Sequence, residues 1–319
     1  MSQIADIPEL VAAAAAGERR ALARVLSLVE SGGTGAAEVQ RALRNAPADG
    51  YVIGVTGAPG AGKSTLVGAL LRELRHRGRK VAVLAVDPSS PFSRGALLGD
   101  RLRMSGGRRD DGVFIRSMAS RGQQGGLAAA TQAASLALQC CGWPWVLIET
   151  VGVGQVEVDI AAMADSTVLV LNPGWGDAVQ ANKAGLMEIG DIFVINKADR
   201  PGCADTRKDL LSLLAQREGE SPPVLETVAT EGRGIPALAE AIAARHEKLA
   251  ASGGLEVRQA GRIARMVRLG MRAEVERRLQ TICDSTSFED EVARVAAGQS
   301  AVPDAVERLL SAMDTERHG

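Results

Sequence analysis

The feature that most constrains this chain is the run Gly57-Ala58-Pro59-Gly60-Ala61-Gly62-Lys63-Ser64, a GxxxxGKS pattern between a β-branched apolar stretch and a helix-forming one. Such a pattern works where a strand stops, a glycine-rich loop turns and a helix starts. Glycines let main-chain N–H groups close on phosphate oxygens, and the helix N-terminus favours negative charge. The run therefore predicts a nucleoside triphosphate site. Lys63 reaches the β- and γ-phosphates, Ser64 places a hydroxyl on Mg²⁺, and Thr65 faces the α-phosphate. The motif is silent on the base.

The surrounding sequence supplies the fold that a phosphate loop needs. From Tyr51 onward short apolar runs alternate with amphipathic stretches, the texture of βα units around a parallel sheet. Strands are predicted at 51–56, 80–86, 113–117, 145–149, 167–171, 191–196 and 224–228, and helices at 63–77, 126–141, 178–188, 206–217 and 235–250. The expected fold class is α/β: a doubly wound, mainly parallel sheet with helical N- and C-terminal extensions. Residues 1–48 form the N-terminal extension, with one helical run at 8–29, a break at Ser31-Gly32-Gly33 and a short helix through Arg44. Residues 49–251 form the nucleotide domain. Ser252-Gly253-Gly254 reads as a flexible linker to an all-helical arm at 252–319, in which Thr286-Ser287-Phe288-Glu289 is a capping box and Gly298 a stop.

Asn196-Lys197-Ala198-Asp199 speaks to the base. It fits NKxD and ends an apolar strand several βα units after the phosphate loop. The Asp199 carboxylate can accept from N1–H and the exocyclic amine of guanine, whereas adenine offers no matching donor pair. The two motifs in this order predict GTP and GDP as ligands. The stretch from Thr227 to Ile235, including Ala229, sits where GTPases place the loop behind the guanine O6. Two strand-ending acids, Asp87 and Glu149, suit the metal shell, and Gly152 follows Glu149 as the glycine of a DxxG-like run that meets the γ-phosphate. Burying Glu149 after Trp145-Val146-Leu147-Ile148 is costly without a cation.

Further runs carry a resemblance to a known family. Asp87-Pro88-Ser89-Ser90-Pro91-Phe92, Leu98-Gly99-Asp100-Arg101, Phe114-Ile115-Arg116-Ser117, Ser120-Arg121-Gly122, Glu149-Thr150-Val151-Gly152-Val153-Gly154-Gln155 and Lys183-Ala184-Gly185 together resemble the MeaB/ArgK-type G proteins. These are GTPase chaperones of methylmalonyl-CoA mutase and related coenzyme B12-dependent acyl-CoA mutases. The resemblance implies a homodimeric metallochaperone that gates adenosylcobalamin delivery to the mutase and protects or reactivates it, and it leaves room for an adenosyltransferase as a second partner. By motif matching, Asp87, Asp100 and Glu149 join Ser64 as Mg²⁺-site candidates. The segment 174–188, with Asp177, Gln180 and Lys183, matches the family's extra switch loop, although Asp177-Ala178 stands where the family has two acids. Val153 follows Gly152 where Ras-like GTPases put a water-orienting Gln, and Gln155 lies two residues further on. Turnover alone should then be slow and partner-stimulated, with Lys63, Glu149, Gln155 and Lys183 as the catalytic set.

Composition narrows the remaining classes. A formal net charge of −1 with 46% hydrophobic and 24% charged residues indicates a folded chain without the basic excess of many nucleic-acid binders. Arg258, Arg262, Arg265, Arg268 and Arg272 recur at near-helical spacing, but interleaved Glu256, Glu274 and Glu276 make that stripe a solvated or subunit-facing helix side. No apolar run is long enough to cross a bilayer, and residues 1–10 resemble neither a secretory nor a transit signal, so the cytoplasm is the expected location. Cys140 and Cys141 read as packing thiols, Trp143 and Trp145 as packing aromatics, and His76, His246 and His318 as solvated. The rival classes are a metal-insertion GTPase, for which the histidines offer no cluster, and a P-loop kinase, against which NKxD argues.

Overall fold

The computed structural model describes residues 6–46, 50–87, 110–119, 126–150, 156–174, 188–217 and 219–315. Residues 1–266 and 267–319 form two compact units.

The first unit is built on a seven-stranded parallel sheet of β1 (Tyr51–Gly57), β2 (Val81–Asp87), β3 (Val113–Ala119), β4 (Trp145–Thr150), β5 (Ser166–Leu171), β6 (Ile192–Asn196) and β7 (Val224–Thr227), in the order β3-β2-β4-β1-β5-β6-β7. Its central strands β1, β4 and β5 are buried along their whole length and mostly apolar because helices cover both faces. On one face, α4 (Lys63–His76) and α8 (Ile235–Ala251) share a core with Ile53, Val55, Leu147, Val168 and Val194. On the other lie α5 (Gly126–Cys140) and α6 (Val156–Met163), while α7 (Cys203–Leu214) packs Leu210 and Leu214 on Leu169, Phe193 and Ile195. The chain runs from β1 out to β2 and β3, returns to insert β4 beside β1, and then begins the other wing with β5. That reversal places a crevice at the carboxyl ends of β1, β4 and β5, the usual ligand position in such sheets.

Several expectations change on contact with the structure. The N-terminal run is two helices, α1 (Ile7–Ala15) and α2 (Arg19–Ser31), because Gly17 adopts φ +97° and turns the chain between them; α3 (Gly33–Leu43) follows. α2 buries Leu22, Val25, Leu26 and Val29 and packs on α5. The guanidinium of Arg19 donates to the Val113 carbonyl (2.6 Å) and lies 5.6 Å from the Phe114 and Trp143 ring centres, covering the outer edge of β3. The 252–254 stretch is a corner rather than a flexible linker: α8 ends at Ala251, Gly253 takes φ +69°, and α9 (Gly254–Cys283) starts at once, with Leu249 and Leu255 both against the core. α6 escaped the sequence reading because Val156-Glu157-Val158-Asp159 alternates apolar and acidic residues, the period of a strand. The helix expected at 178–188 lies outside the described residues apart from Glu188.

The arginine stripe is also corrected. Arg262 is paired with Asp165, whose other oxygen accepts the Val52 N–H (2.8 Å), and Arg258 lies 3.4 Å from Asp191, which accepts the Thr167 N–H (2.9 Å) and Arg245 (2.5 Å). Each acid closes the start of a parallel strand pair and receives an arginine of α9. Burial holds the Arg262 guanidinium down to about 10. His246 is likewise not solvated: it lies half-buried with its ring 4.6 Å from Tyr51 and 5.6 Å from Trp145, and desolvation lowers its pKa. Cys140 and Cys141 are buried packing thiols, the latter pushed up to about 11 by burial, and Trp143 and Trp145 are buried in packing roles.

In the second unit, α10 (Thr286–Ala296) and α11 (Val302–Thr315) pack together, and Arg308 donates twice to Glu291 (2.7 and 3.0 Å). The cap of α10 is Ser285, one residue before the expected box, because Ser285 is extended and its hydroxyl accepts from the Phe288 N–H (3.3 Å). Gly298, with φ +71°, follows the helix end as expected. Val267, Met271, Val275 and Leu279 form an exposed i, i+4 apolar row along α9.

Candidate nucleotide site

The phosphate loop joins β1 to α4 where the sheet reverses. Gly57 and Gly62 have φ +138° and +88°, and each is also sterically required: a Cβ on Gly57 would lie 2.0 Å from the Val170 carbonyl oxygen, and one on Gly62 2.6 Å from the Asn196 amide nitrogen. With no side chain at either position, the loop backbone can fold tightly onto β5 and β6. α4 begins at Lys63 itself, directing its free N–H groups toward the loop's concavity. The buried Lys63 ammonium donates to the carbonyls of Gly57 (2.7 Å) and Ala58 (3.2 Å), folded over the loop it would otherwise span. Pro59, Gly60 and Thr65 are exposed, whereas Ala58 and Ala61 are buried beneath them.

Ser64 donates to a Glu149 carboxylate oxygen, linking α4 to the end of β4 across the crevice. Glu149 is 1% exposed at the end of an apolar strand. A buried carboxylate beside a hydroxyl is a pair of hard oxygen donors, the chemistry a divalent cation selects.

Asn196 ends β6 and braces the loop. Its Nδ2 donates to the Ala61 carbonyl (2.8 Å), and its Oδ1 accepts from the Thr227 hydroxyl (3.0 Å) and the Ala229 N–H (3.2 Å). Lys197, held at φ +60°, donates to the Gly60 carbonyl (2.6 Å). Asp199 is exposed just beyond, free to meet a base from solvent. Residues 228–234 make a tight turn closed by the Val228 N–H to the Arg233 carbonyl (3.0 Å).

The structure thus brings together Gly57–Thr65, Glu149, Asn196–Asp199 and Ala229 at the carboxyl ends of the strands. Asp87 ends β2, two strands from β1; its side chain, Asp100, Gly152, Gln155, Asp177, Gln180 and Lys183 lie outside the described residues. The sequence reading placed Thr227 at the start of the loop behind the guanine but not as the residue that orients the Asn196 amide, and it missed Thr206, whose hydroxyl accepts the Gly174 N–H (3.2 Å) and ties α7 to the chain leaving β5. A threonine inside an amphipathic helix carries no signal for such a role.

Comparison with known proteins settles the class. The family model described as methylmalonyl Co-A mutase-associated GTPase MeaB matches residues 22–284. The chain belongs to the MeaB family. A protein of Pyrococcus abyssi named as a GTPase is 46% identical over 297 residues, covering 91% of each chain, and GTPase ArgK of Escherichia coli is 40% identical over 255 residues, covering 76% of this chain and 77% of ArgK. The solved structure of LAO/AO transport system kinase superposes with a TM-score of 0.70 at 28% identity, covering 98% of this chain and 99% of that one. This MeaB-family protein is a GTPase, and the crevice above is where its phosphate loop meets the Asn196-Lys197-Ala198-Asp199 run. Among the described residues no helix is long and apolar enough to cross a membrane.

Proposed function

We propose that this chain is a GTP-hydrolysing chaperone of a cobalamin-dependent acyl-CoA mutase, methylmalonyl-CoA mutase or a relative, gating adenosylcobalamin delivery and protecting or reactivating the enzyme in the cytoplasm. The observation that carries the reading is the match to a mutase-associated GTPase family across residues 22–284. The site's chemistry supports it. Lys63, released from Gly57 and Ala58, would take the β- and γ-phosphates, and the loop amides would cradle them. Asp199 would pair with guanine while Asn196 and Ala229 hold the loop behind it. Ser64 and Glu149, with Asp87 and Asp100, would hold Mg²⁺; the buried Glu149 carboxylate against the Ser64 hydroxyl fits that ion. The metal would neutralise charge between the β- and γ-phosphates.

Residues 49–251 serve as the GTPase domain between an N-terminal extension at 1–48 and an arm at 252–319 that pairs two copies. The exposed row Val267, Met271, Val275 and Leu279 supports the pairing. Gln155 and Lys183 complete the catalytic set when the mutase docks, and an adenosyltransferase is the second partner. Affinity purification from the native cell, with identification of co-purifying enzymes, tests the partner: a B12-dependent acyl-CoA mutase is expected, and its absence in both GDP and GTP-analogue states refutes the reading. The kinase name of the superposed structure favours one alternative, phosphoryl transfer to an acceptor. Thin-layer separation of free phosphate from a phosphorylated acceptor distinguishes the two.

A further inference from the structure

Two buried threonines stand apart from the residues placed on the nucleotide. Thr56, next to last in β1, and Thr150, last in β4, are 0% and 1% exposed, and neither hydroxyl has a hydrogen-bond partner. A buried hydroxyl in that condition costs stability, so its retention calls for a reason outside the folded state's own bonding.

Register and alternation put the two side by side. β1 and β4 are parallel neighbours with Gly54 opposite Ile148 and Val55 opposite Glu149, so one further step brings Thr56 level with Thr150. Ile53, Val55 and Leu147 face the α4 core, and Glu149 meets Ser64 on α4. The even-numbered residues face the other way: a Cβ on Gly54 would lie 2.5 Å from the Ile160 side chain of α6. Both threonines therefore lie on the α6 side of the sheet, one strand spacing of about 4.8 Å apart. α6 runs antiparallel to the strands, and with Ile160 over Gly54 its first turn lies toward the strand ends, where Thr56 and Thr150 are. The first N–H groups of a helix have no partner inside it. Only residues 151–155 separate Thr150 from that turn.

We propose that Thr56 and Thr150 are positioning residues for GTP hydrolysis: their hydroxyl oxygens accept main-chain N–H groups from the first turn of α6 in the triphosphate-bound state, and this seat fixes the chain that follows Glu149. The seat has two states. Unmade, it leaves both hydroxyls without partners, as in this structure; made, it satisfies donors and acceptors that are otherwise orphaned on each side. A triphosphate tips the balance by the difference in its affinity for the two states. Both hydroxyls lie on the α6 side of the sheet, opposite Ser64 and α4, so the pair acts through the placement of α6 and of the residues that join it to β4.

Valine and serine variants test the seat, because Thr→Val keeps the side-chain shape without the hydroxyl and Thr→Ser keeps the hydroxyl. In Thr56→Val and Thr150→Val, single-turnover GTP hydrolysis should fall roughly tenfold, the worth of one hydrogen bond, while GDP affinity stays within about twofold of the parent. The thermal midpoint without nucleotide should hold or rise, since an unsatisfied group has been removed. Serine at either position should restore the parental rate. Parental hydrolysis in both valine variants overturns the proposal. So does a valine variant that loses nucleotide-free stability and GDP affinity together, or fails to fold, because the hydroxyl would then belong to the resting fold.

Discussion

Asn196 is the residue whose removal should damage the site most economically. Its side chain is 2% exposed and makes three hydrogen bonds, to the Ala61 carbonyl, the Thr227 hydroxyl and the Ala229 N–H, at 2.8, 3.0 and 3.2 Å. Alanine deletes all three and leaves the Ala61 carbonyl and the Ala229 N–H in a buried setting without that partner. At about 1 kcal/mol per bond plus the desolvation cost of the groups left behind, the loss is roughly 3–5 kcal/mol. That is a large part of the ~5–15 kcal/mol that holds a typical domain. Thr227→Val removes one of the three bonds and should cost only about 1 kcal/mol. Urea denaturation of the nucleotide-free proteins measures both, and GDP titration should show the alanine variant weakened by at least about tenfold, because the phosphate loop loses its brace to β6. A stability loss below about 1 kcal/mol in Asn196→Ala, with GDP affinity unchanged, would mean that this amide does not hold the loop in shape.

Three further outcomes follow from the same structure. Asp199→Asn should weaken GTP relative to xanthosine triphosphate, whose O2 accepts where guanine donates; parallel titrations decide it, and an unchanged preference removes Asp199 as the base reader. Arg262→Met should destabilise by about 3–5 kcal/mol by stranding the buried Asp165 carboxylate, whereas Asp165→Asn with Arg262→Met should recover most of that loss, as chemical denaturation of the single and double variants would show. His246 has a pKa depressed below 6.5 by burial, so the folded state resists its protonation; stability should begin to fall as pH drops below about 6.5 and continue to fall toward the folded-state pKa, and His246→Leu should flatten that part of the pH profile of urea midpoints.

Much of the fold was legible because parallel strands covered on both faces are dominated by apolar residues, as in the run Trp145-Val146-Leu147-Ile148. The loop and the Asn196 motif were legible for a related reason: glycine at 57 and 62 is enforced by contacts of 2.0 and 2.6 Å that no side chain survives. What escaped was set by tertiary context. α6 carries a strand-like alternation and becomes a helix in the crossover between β4 and β5, where Ile160 packs on Gly54. Gly253 looked like slack because composition cannot tell a loose linker from a corner pinned by Leu249 and Leu255 on either side. Arg258 and Arg262 looked solvated because their partners, Asp191 and Asp165, are distant in sequence and meet them only once β5 and β6 are in place.

Single-turnover hydrolysis of GTP with and without a purified cobalamin-dependent acyl-CoA mutase, in the parent protein and in Lys183→Ala, distinguishes a mutase-coupled GTPase from one that works alone. Hydrolysis by the parent alone should be slow, the mutase should accelerate it markedly, and Lys183→Ala should keep the slow rate and lose most of the acceleration. A parent protein whose hydrolysis is the same with and without the mutase is not a mutase chaperone of this kind.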